Sequence, residues 1–113
     1  MLKKGKDFVI AGIPAYNEQK AIGEVIFGAL KYVDEVVVVD DCSSDSTVNV
    51  ARKFGASIVQ HKTNQGYGAA IMSAFRFAKR SGADILVTLD GDGQHDPNEI
   101  PLCWNRLRRP MLT

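Results

Sequence analysis

The chain has 113 residues, with 14 Lys and Arg against 13 Asp and Glu and a formal net charge of +1. That length allows one hydrophobic core, so residues 1–113 are expected to form a single domain. The near-neutral balance excludes the strong positive field that nucleic acid would require, and no apolar run approaches the ~18 residues that span a bilayer.

The elements follow in order. Phe8-Val9-Ile10-Ala11 reads as a first strand, ended by Gly12 and Pro14. Asn17 is placed to cap a helix from about Glu18 to Tyr32, with Ile22, Val25, Ile26, Ala29, Leu30 and Val33 on its apolar face. Gly23 and Gly28 fall inside it, each at a cost of about 1 kcal/mol against Ala. Gly28 is read as a point of close packing. Val36-Val37-Val38-Val39 is a second strand, wholly β-branched and suited to burial on both faces. Ser44, Asp45 or Ser46 begins a short helix that runs to Lys53 and stops at Gly55. Ser57-Ile58-Val59 is a short third strand. A further helix spans about Gly68 to Arg80, with Ile71, Ala74, Phe75 and Ala78 inward and Gly82 as its stop. Ile85-Leu86-Val87-Thr88-Leu89 is the fourth strand. Alternating strands and helices predict an α/β, Rossmann-like parallel sheet with right-handed crossovers.

The most informative segment follows that fourth strand: Asp90-Gly91-Asp92-Gly93-Gln94-His95-Asp96-Pro97. An Asp-x-Asp pair at a strand end, with glycines that let the backbone turn, suits Mg²⁺ or Mn²⁺ completed by water and substrate phosphates. Ligands of open α/β sheets bind beyond the carboxyl ends of the strands. Two other metal readings fail on spacing. An EF-hand loop from Asp90 would need Gly and Glu where His95 and Pro101 stand, and an aspartyl-phosphate phosphatase carries its pair on an early strand. A dinucleotide fingerprint is absent after the first strand. Asp96-Pro97-Asn98-Glu99 reads as a capping box opening a helix.

Four motifs occur in order: Ile13-Pro14-Ala15-Tyr16-Asn17-Glu18, Val38-Val39-Asp40-Asp41-Cys42-Ser43-Ser44-Asp45, Asn64-Gln65-Gly66-Tyr67-Gly68-Ala69-Ala70, and the acidic segment. Together they resemble the nucleotide-binding half of family 2 glycosyltransferases of the GT-A type, most of all the dolichol- or polyprenyl-phosphate mannose and glucose synthases. The resemblance implies a four-stranded order 3-2-1-4 and a nucleotide diphosphate-sugar, UDP- or GDP-linked, held with Mn or Mg. It assigns Pro14, Tyr16, Glu18, Asp40, Asp41, Gly66 and Asp90 to the nucleotide-sugar, and Asp90, Asp92 and Gln94 to the metal. Tyr16 would lie against the base, with Glu18 on base or ribose. Asp41 is favoured as the ligand contact and Asp40 as its support. Gly66 and Gly68 precede a helix N-terminus whose free N–H groups suit an anion. His95 is either a ligand or a structural histidine. Cys42 stands where the family more often has glycine.

The family's catalytic domains continue well past the metal motif, so the chain is expected to be a donor-binding half or fragment. No catalytic residue is assigned: the general base is expected to be absent, because Glu99 is the only carboxylate after Asp96. The rival readings are a non-catalytic nucleotide-sugar module and a remnant that only oligomerises. The acceptor suggested by the resemblance is a polyprenyl phosphate. Lys3, Lys4 and Lys6 lack the apolar stretch of a signal peptide, and Cys42 and Cys103 form no metal or redox spacing. A cytoplasmic place at the membrane face is therefore expected. With order 3-2-1-4, the strand Asp84–Leu89 would be an open edge, able to pair two copies.

Overall fold

The computed structural model describes residues 7–91 and the backbone of 105–106. Its sheet holds β1 (Val9–Ala15), β2 (Glu35–Asp40), β3 (Ser57–Gln60), β4 (Ile85–Thr88) and β5 (Asn105–Arg106), in the order β3-β2-β1-β4-β5. The first four pair in parallel, as the alternation of elements predicts. Three helices connect them: α1 (Ile22–Ala29), α2 (Thr47–Lys53) and α3 (Tyr67–Arg80).

Central strand β1 is longer than the sequence suggests, and the geometry explains why. Gly12 accepts from the Leu89 N–H, while Val9 and Ala15 accept from Asp34 and Asp41. Even-numbered residues of β1 therefore direct their polar backbone groups toward β4, and odd-numbered ones toward β2. Pro14 belongs to the even set, beyond the last paired level at Gly12–Thr88. Its missing N–H removes no ladder bond, so the strand runs through it. Gly12 does not end the strand either. A Cβ there would lie 2.8 Å from the Ala74 Cβ, so the glycine lets α3 sit close on the sheet.

Side chains alternate across the sheet. Val36 and Val38 join Ile13, Ile22, Ile26 and Ala51 on the side covered by α1 and α2. Val37 packs with Ile10, Leu86 and Ala78, and Val39 with Ala70 and Ala74, on the side covered by α3. Val36 to Val39 are all fully buried, each contributing roughly 1.5–3 kcal/mol. The inward face of α3 is the alanine row Ala70, Ala74 and Ala78: Ala74 and Ala78 are buried as expected, while Ile71 and Phe75 are not. The tight contact at Gly12 leaves no room for larger groups, and Phe75 lies outside under the Lys79 ammonium at 5.7 Å.

Other boundaries also shift. Asn17 has φ 53° and caps no helix, so α1 starts only at Ile22. Within α1 the close approach defined by the structure is at Gly23, against the Phe54 ring. Gly55 and Gly82 end α2 and α3 at φ 93° and 82°, as expected. At the opposite end of the sheet from the cleft described below, two aspartates tie the strands together. Asp34 and Asp84 carboxylates accept from the Val9 and Phe8 N–H groups at 2.8 Å, and their own N–H groups donate back to Val9 and Phe8 carbonyls.

The β4 edge is not open along its length. Ile85 and Leu86 pair antiparallel with Arg106 and Asn105 of β5, which removes the premise of an edge-to-edge dimer at that point. The helix expected after Asp96 lies outside the described residues. Among the described residues no helix is long and apolar enough to cross a membrane.

Candidate functional site

A cleft of about 290 Å³ opens at the carboxyl ends of the parallel strands. It lies where the strand order reverses about β1, the usual ligand position in such sheets. Pro14, Ala15, Tyr16 and Glu18 line it from the end of β1, Asp41 from β2, and Asp90 and Gly91 from β4. Gly66, Tyr67 and Ala70 close it from the start of α3. Five of the residues expected at a nucleotide-sugar site, Pro14, Tyr16, Glu18, Asp41 and Gly66, thus converge with a sixth, Asp90. A Cβ at Gly91 would meet the Pro14 carbonyl oxygen at 3.0 Å, so glycine allows the segment after β4 to turn against β1.

Asp41 is the most constrained group in the cleft. Its residue is only 5% exposed. Oδ1 accepts from the His61 ring at 2.8 Å and from the Gln65 N–H at 2.8 Å, and Oδ2 accepts from the Gly66 N–H at 2.9 Å. Burial pushes this carboxyl up, but the Gln65 N–H, the His61 ring and the Gly66 N–H together outweigh it and hold it below the ordinary carboxylate value. The N–H at Gly66 is therefore engaged by a protein carboxylate, not left for a ligand phosphate. Gly66 is the N-cap of α3 at φ 97°, a conformation natural only to glycine. Gly68 lies within α3, outside the cleft lining.

Asp40 faces away from the cleft. It is fully buried; Oδ2 accepts from the Ser43 N–H at 3.1 Å, and Oδ1 has no hydrogen-bond partner among the described residues. It organises the turn after β2 through that Ser43 bond. That turn contains Cys42 at φ 70°, an exposed free thiol whose Sγ donates to the Lys62 carbonyl at 3.5 Å. The chain adopts the left-handed conformation even without the glycine common in the resembling family.

The β1 and β2 loops brace each other. Asn17 Oδ1 accepts from the Ser44 N–H at 2.8 Å, and the Asn17 N–H donates to Ser43 Oγ at 2.8 Å. Fully buried Thr47 accepts the Glu18 N–H at Oγ1 at 2.8 Å and donates the hydroxyl to Asp45. The Asp45 carboxyl, which burial raises, is lowered overall by its bonds from the Thr47 hydroxyl, the Thr47 N–H and the Gln19 N–H. Glu18 thus reaches the cleft on a backbone fixed from the start of α2.

For a divalent metal, the donor chemistry fits as far as it is described. Asp90 supplies a hard carboxylate at the cleft, which Glu18 and Asp41 also line. Asp92, Gln94, His95 and Asp96 lie outside the described residues. Among the described residues no three His, Cys, Asp or Glu side chains converge as a ready-made cage.

This arrangement is matched by a family model, Glycosyl transferase family 2, over residues 11–112. The chain belongs to that family. The family 2 chain is 33% identical to the UDP-N-acetylglucosamine--dolichyl-phosphate N-acetylglucosaminyltransferase of Methanococcus voltae, over 78% of its own length and 42% of the relative's. It is 33% identical to the undecaprenyl-phosphate mannosyltransferase of Micrococcus luteus, over 92% of its length and 46% of that protein's. It therefore spans less than half of these relatives. A solved structure of glucosyl-3-phosphoglycerate synthase from Mycobacterium tuberculosis, in complex with Mn²⁺, UDP-glucose and phosphoglyceric acid, superposes with a TM-score of 0.69. Identity there is 27%, covering 87% of this chain and 38% of that one. The fold is that of the GT-A glycosyltransferases.

Three participants are not legible as site residues in the sequence. His61 and Ser73 join Asp41 through hydrogen bonds spanning 20 and 12 residues. Tyr67, 63% exposed, lines the same cleft as Tyr16, which is 48% exposed. Only the adjacency of β2 and β3 brings His61 to Asp41.

Proposed function

We propose that the cleft binds the donor of a sugar transfer, a UDP- or GDP-linked sugar, together with Mn²⁺ or Mg²⁺. The observation that carries this reading is the Asp41 carboxylate, buried at the cleft wall and held ionised by three donors. A fixed acceptor of this kind suits a nucleobase N–H. Tyr16 offers an exposed ring for the base, Glu18 an acceptor for base or ribose, and Asp90 a carboxylate near the diphosphate. Asp90, with Asp92 and Gln94, would hold the metal. When bound, the ion supplies positive charge against the charge that develops on the departing diphosphate.

In the whole protein, an acceptor oxygen would form a bond to the anomeric carbon as the diphosphate leaves, with inversion. The two relatives act on dolichyl phosphate and undecaprenyl phosphate by name. By similarity we assign a polyprenyl phosphate as acceptor class. Among the described residues no general base is assigned, and the chain spans less than half of these relatives, so the transfer step is proposed for the whole protein.

Calorimetric titration of the chain with UDP, GDP and their sugars, with Mn²⁺ and with chelator, tests the proposal. Binding should require the cation. Asp92→Asn should abolish the cation-dependent part and Asp90→Asn should weaken it, while Asp7→Asn should leave it intact. Equal affinity with and without chelator would refute the metal reading. No binding of any nucleotide would refute the donor site.

A further inference from the structure

His61 follows β3 directly, and its N–H donates to the Asp40 carbonyl at 2.9 Å, extending the sheet by one residue. Its side chain is 9% exposed and does not line the cleft. Nδ1 lies 2.8 Å from Asp41 Oδ1, and Nε2 lies 2.8 Å from Ser73 Oγ on α3. A carboxylate only accepts, so Nδ1 carries the proton. In the neutral ring, Nε2 is then an acceptor and the Ser73 hydroxyl donates to it. The result is a directed chain from Ser73 through His61 to Asp41.

This chain limits what Asp41 can still do. A carboxylate has roughly four acceptor positions, about two on each oxygen. Oδ1 is filled by His61 and by the Gln65 N–H. Among the described residues Oδ2 accepts only from the Gly66 N–H. One position remains, on a single oxygen.

We propose that His61 is a positioning residue that sets nucleobase selectivity: by filling Asp41 Oδ1 it leaves one acceptor for the donor's base, which favours uracil over guanine. The uracil imide presents one N–H between two carbonyls and needs one acceptor. Guanine presents N1–H and the N2 amino group side by side, and a carboxylate meets that edge through both oxygens. With Oδ1 saturated, one guanine donor is left without a carboxylate oxygen to meet it. The inference rests on the donor-site reading above, with Asp41 as the base contact.

The test is titration of the chain with UDP and with GDP in Mn²⁺, comparing ratios of affinity. The unmodified chain should prefer UDP by about tenfold or more, the usual effect of one unmatched buried donor. His61→Ala opens the second position on Oδ1 and should bring the ratio to within about threefold, by weakening UDP and strengthening or sparing GDP. His61→Asn, whose amide N–H can replace the Nδ1 donor, should keep the preference. Ser73→Ala, which leaves the Asp41 contacts in place but frees the ring, should lower it partway and serves if His61→Ala does not fold. Equal affinity of the unmodified chain for UDP and GDP would overturn the selectivity inference and leave the donor site standing. An equal loss for both nucleotides in His61→Ala, at unchanged ratio, would make His61 a purely structural residue. Binding of neither nucleotide would overturn the inference together with the donor site.

Discussion

Replacing Asp41 with Asn keeps the side-chain shape and removes the charge. The amide has one acceptor oxygen and one donor nitrogen, while the native carboxylate accepts three bonds. The least costly placement keeps oxygen at Oδ1, facing His61 and Gln65. The nitrogen then faces the Gly66 N–H, donor against donor. One bond to a charged acceptor is lost, and such bonds contribute about 1.5–3 kcal/mol net. The two retained bonds lose their charge assistance. A total destabilisation of about 2–4 kcal/mol is expected at pH 7, or roughly 4 °C of melting temperature per kcal/mol. The pH dependence has a definite sign. The folded carboxyl lies below its ordinary value of 3.8. Its contribution is therefore complete above that value and is lost as pH falls through the lower folded value. The difference between native chain and variant should stay constant from pH 7 to about pH 5 and shrink below about pH 4. Urea unfolding at a series of pH values measures it. A difference below about 0.5 kcal/mol at pH 7, or one unchanged down to the acid limit of folding, would refute the argued role of these three bonds.

Gly12→Ala drives a Cβ to within 2.8 Å of the Ala74 Cβ, where neither strand nor helix can give, so about 1–3 kcal/mol of stability should be lost in thermal unfolding. Gly23→Ala meets instead the Phe54 ring, which is 42% exposed and able to swing outward, so its loss should be the smaller of the two. Cys42→Gly relieves about 1–2 kcal/mol of left-handed strain and gives back about 0.4–1 kcal/mol through the freer unfolded chain. A net gain of roughly half to one kcal/mol should appear as a higher urea midpoint. Thr47→Val keeps the volume but strips the acceptor from the Glu18 N–H, so it should cost about 1–3 kcal/mol and also weaken nucleotide binding measured by calorimetry.

What could be read from the sequence was local or periodic. Val36 to Val39 declare a buried strand by themselves, and Gly55 and Gly82 mark helix ends because their conformations are set within a few residues. The residues after β1, β2 and β4 were singled out by the family resemblance of their motifs, and a parallel sheet brings such strand ends to one side. Residues whose role depends on a neighbour in space were misread or missed. Gly12 and Pro14 looked like strand breakers; one faces α3 and the other lies beyond the end of β4. Asn17 looked like a helix cap, yet its side chain holds Ser44, 27 residues away. The inward face of α3 was placed on Ile71, Ala74, Phe75 and Ala78; the two alanines are buried as expected, but the short distance to β1 selects Ala70 in place of Ile71 and Phe75. His61 and Ser73 had no signal at all, since each is an ordinary polar residue until β3 lies beside β2.

The Gln65 and Gly66 amides have a consequence for motion. They belong to the loop between β3 and α3, where hydrogen exchange is ordinarily fast. Both point at a buried carboxylate that is anchored to the end of a central strand. Solvent reaches them only when that anchor lets go, so they should exchange with the slow protons of β2 rather than with their neighbours Thr63 and Asn64. The wall of the cleft would then move on the timescale of the sheet, and a ligand arriving there would find its contact surface already assembled.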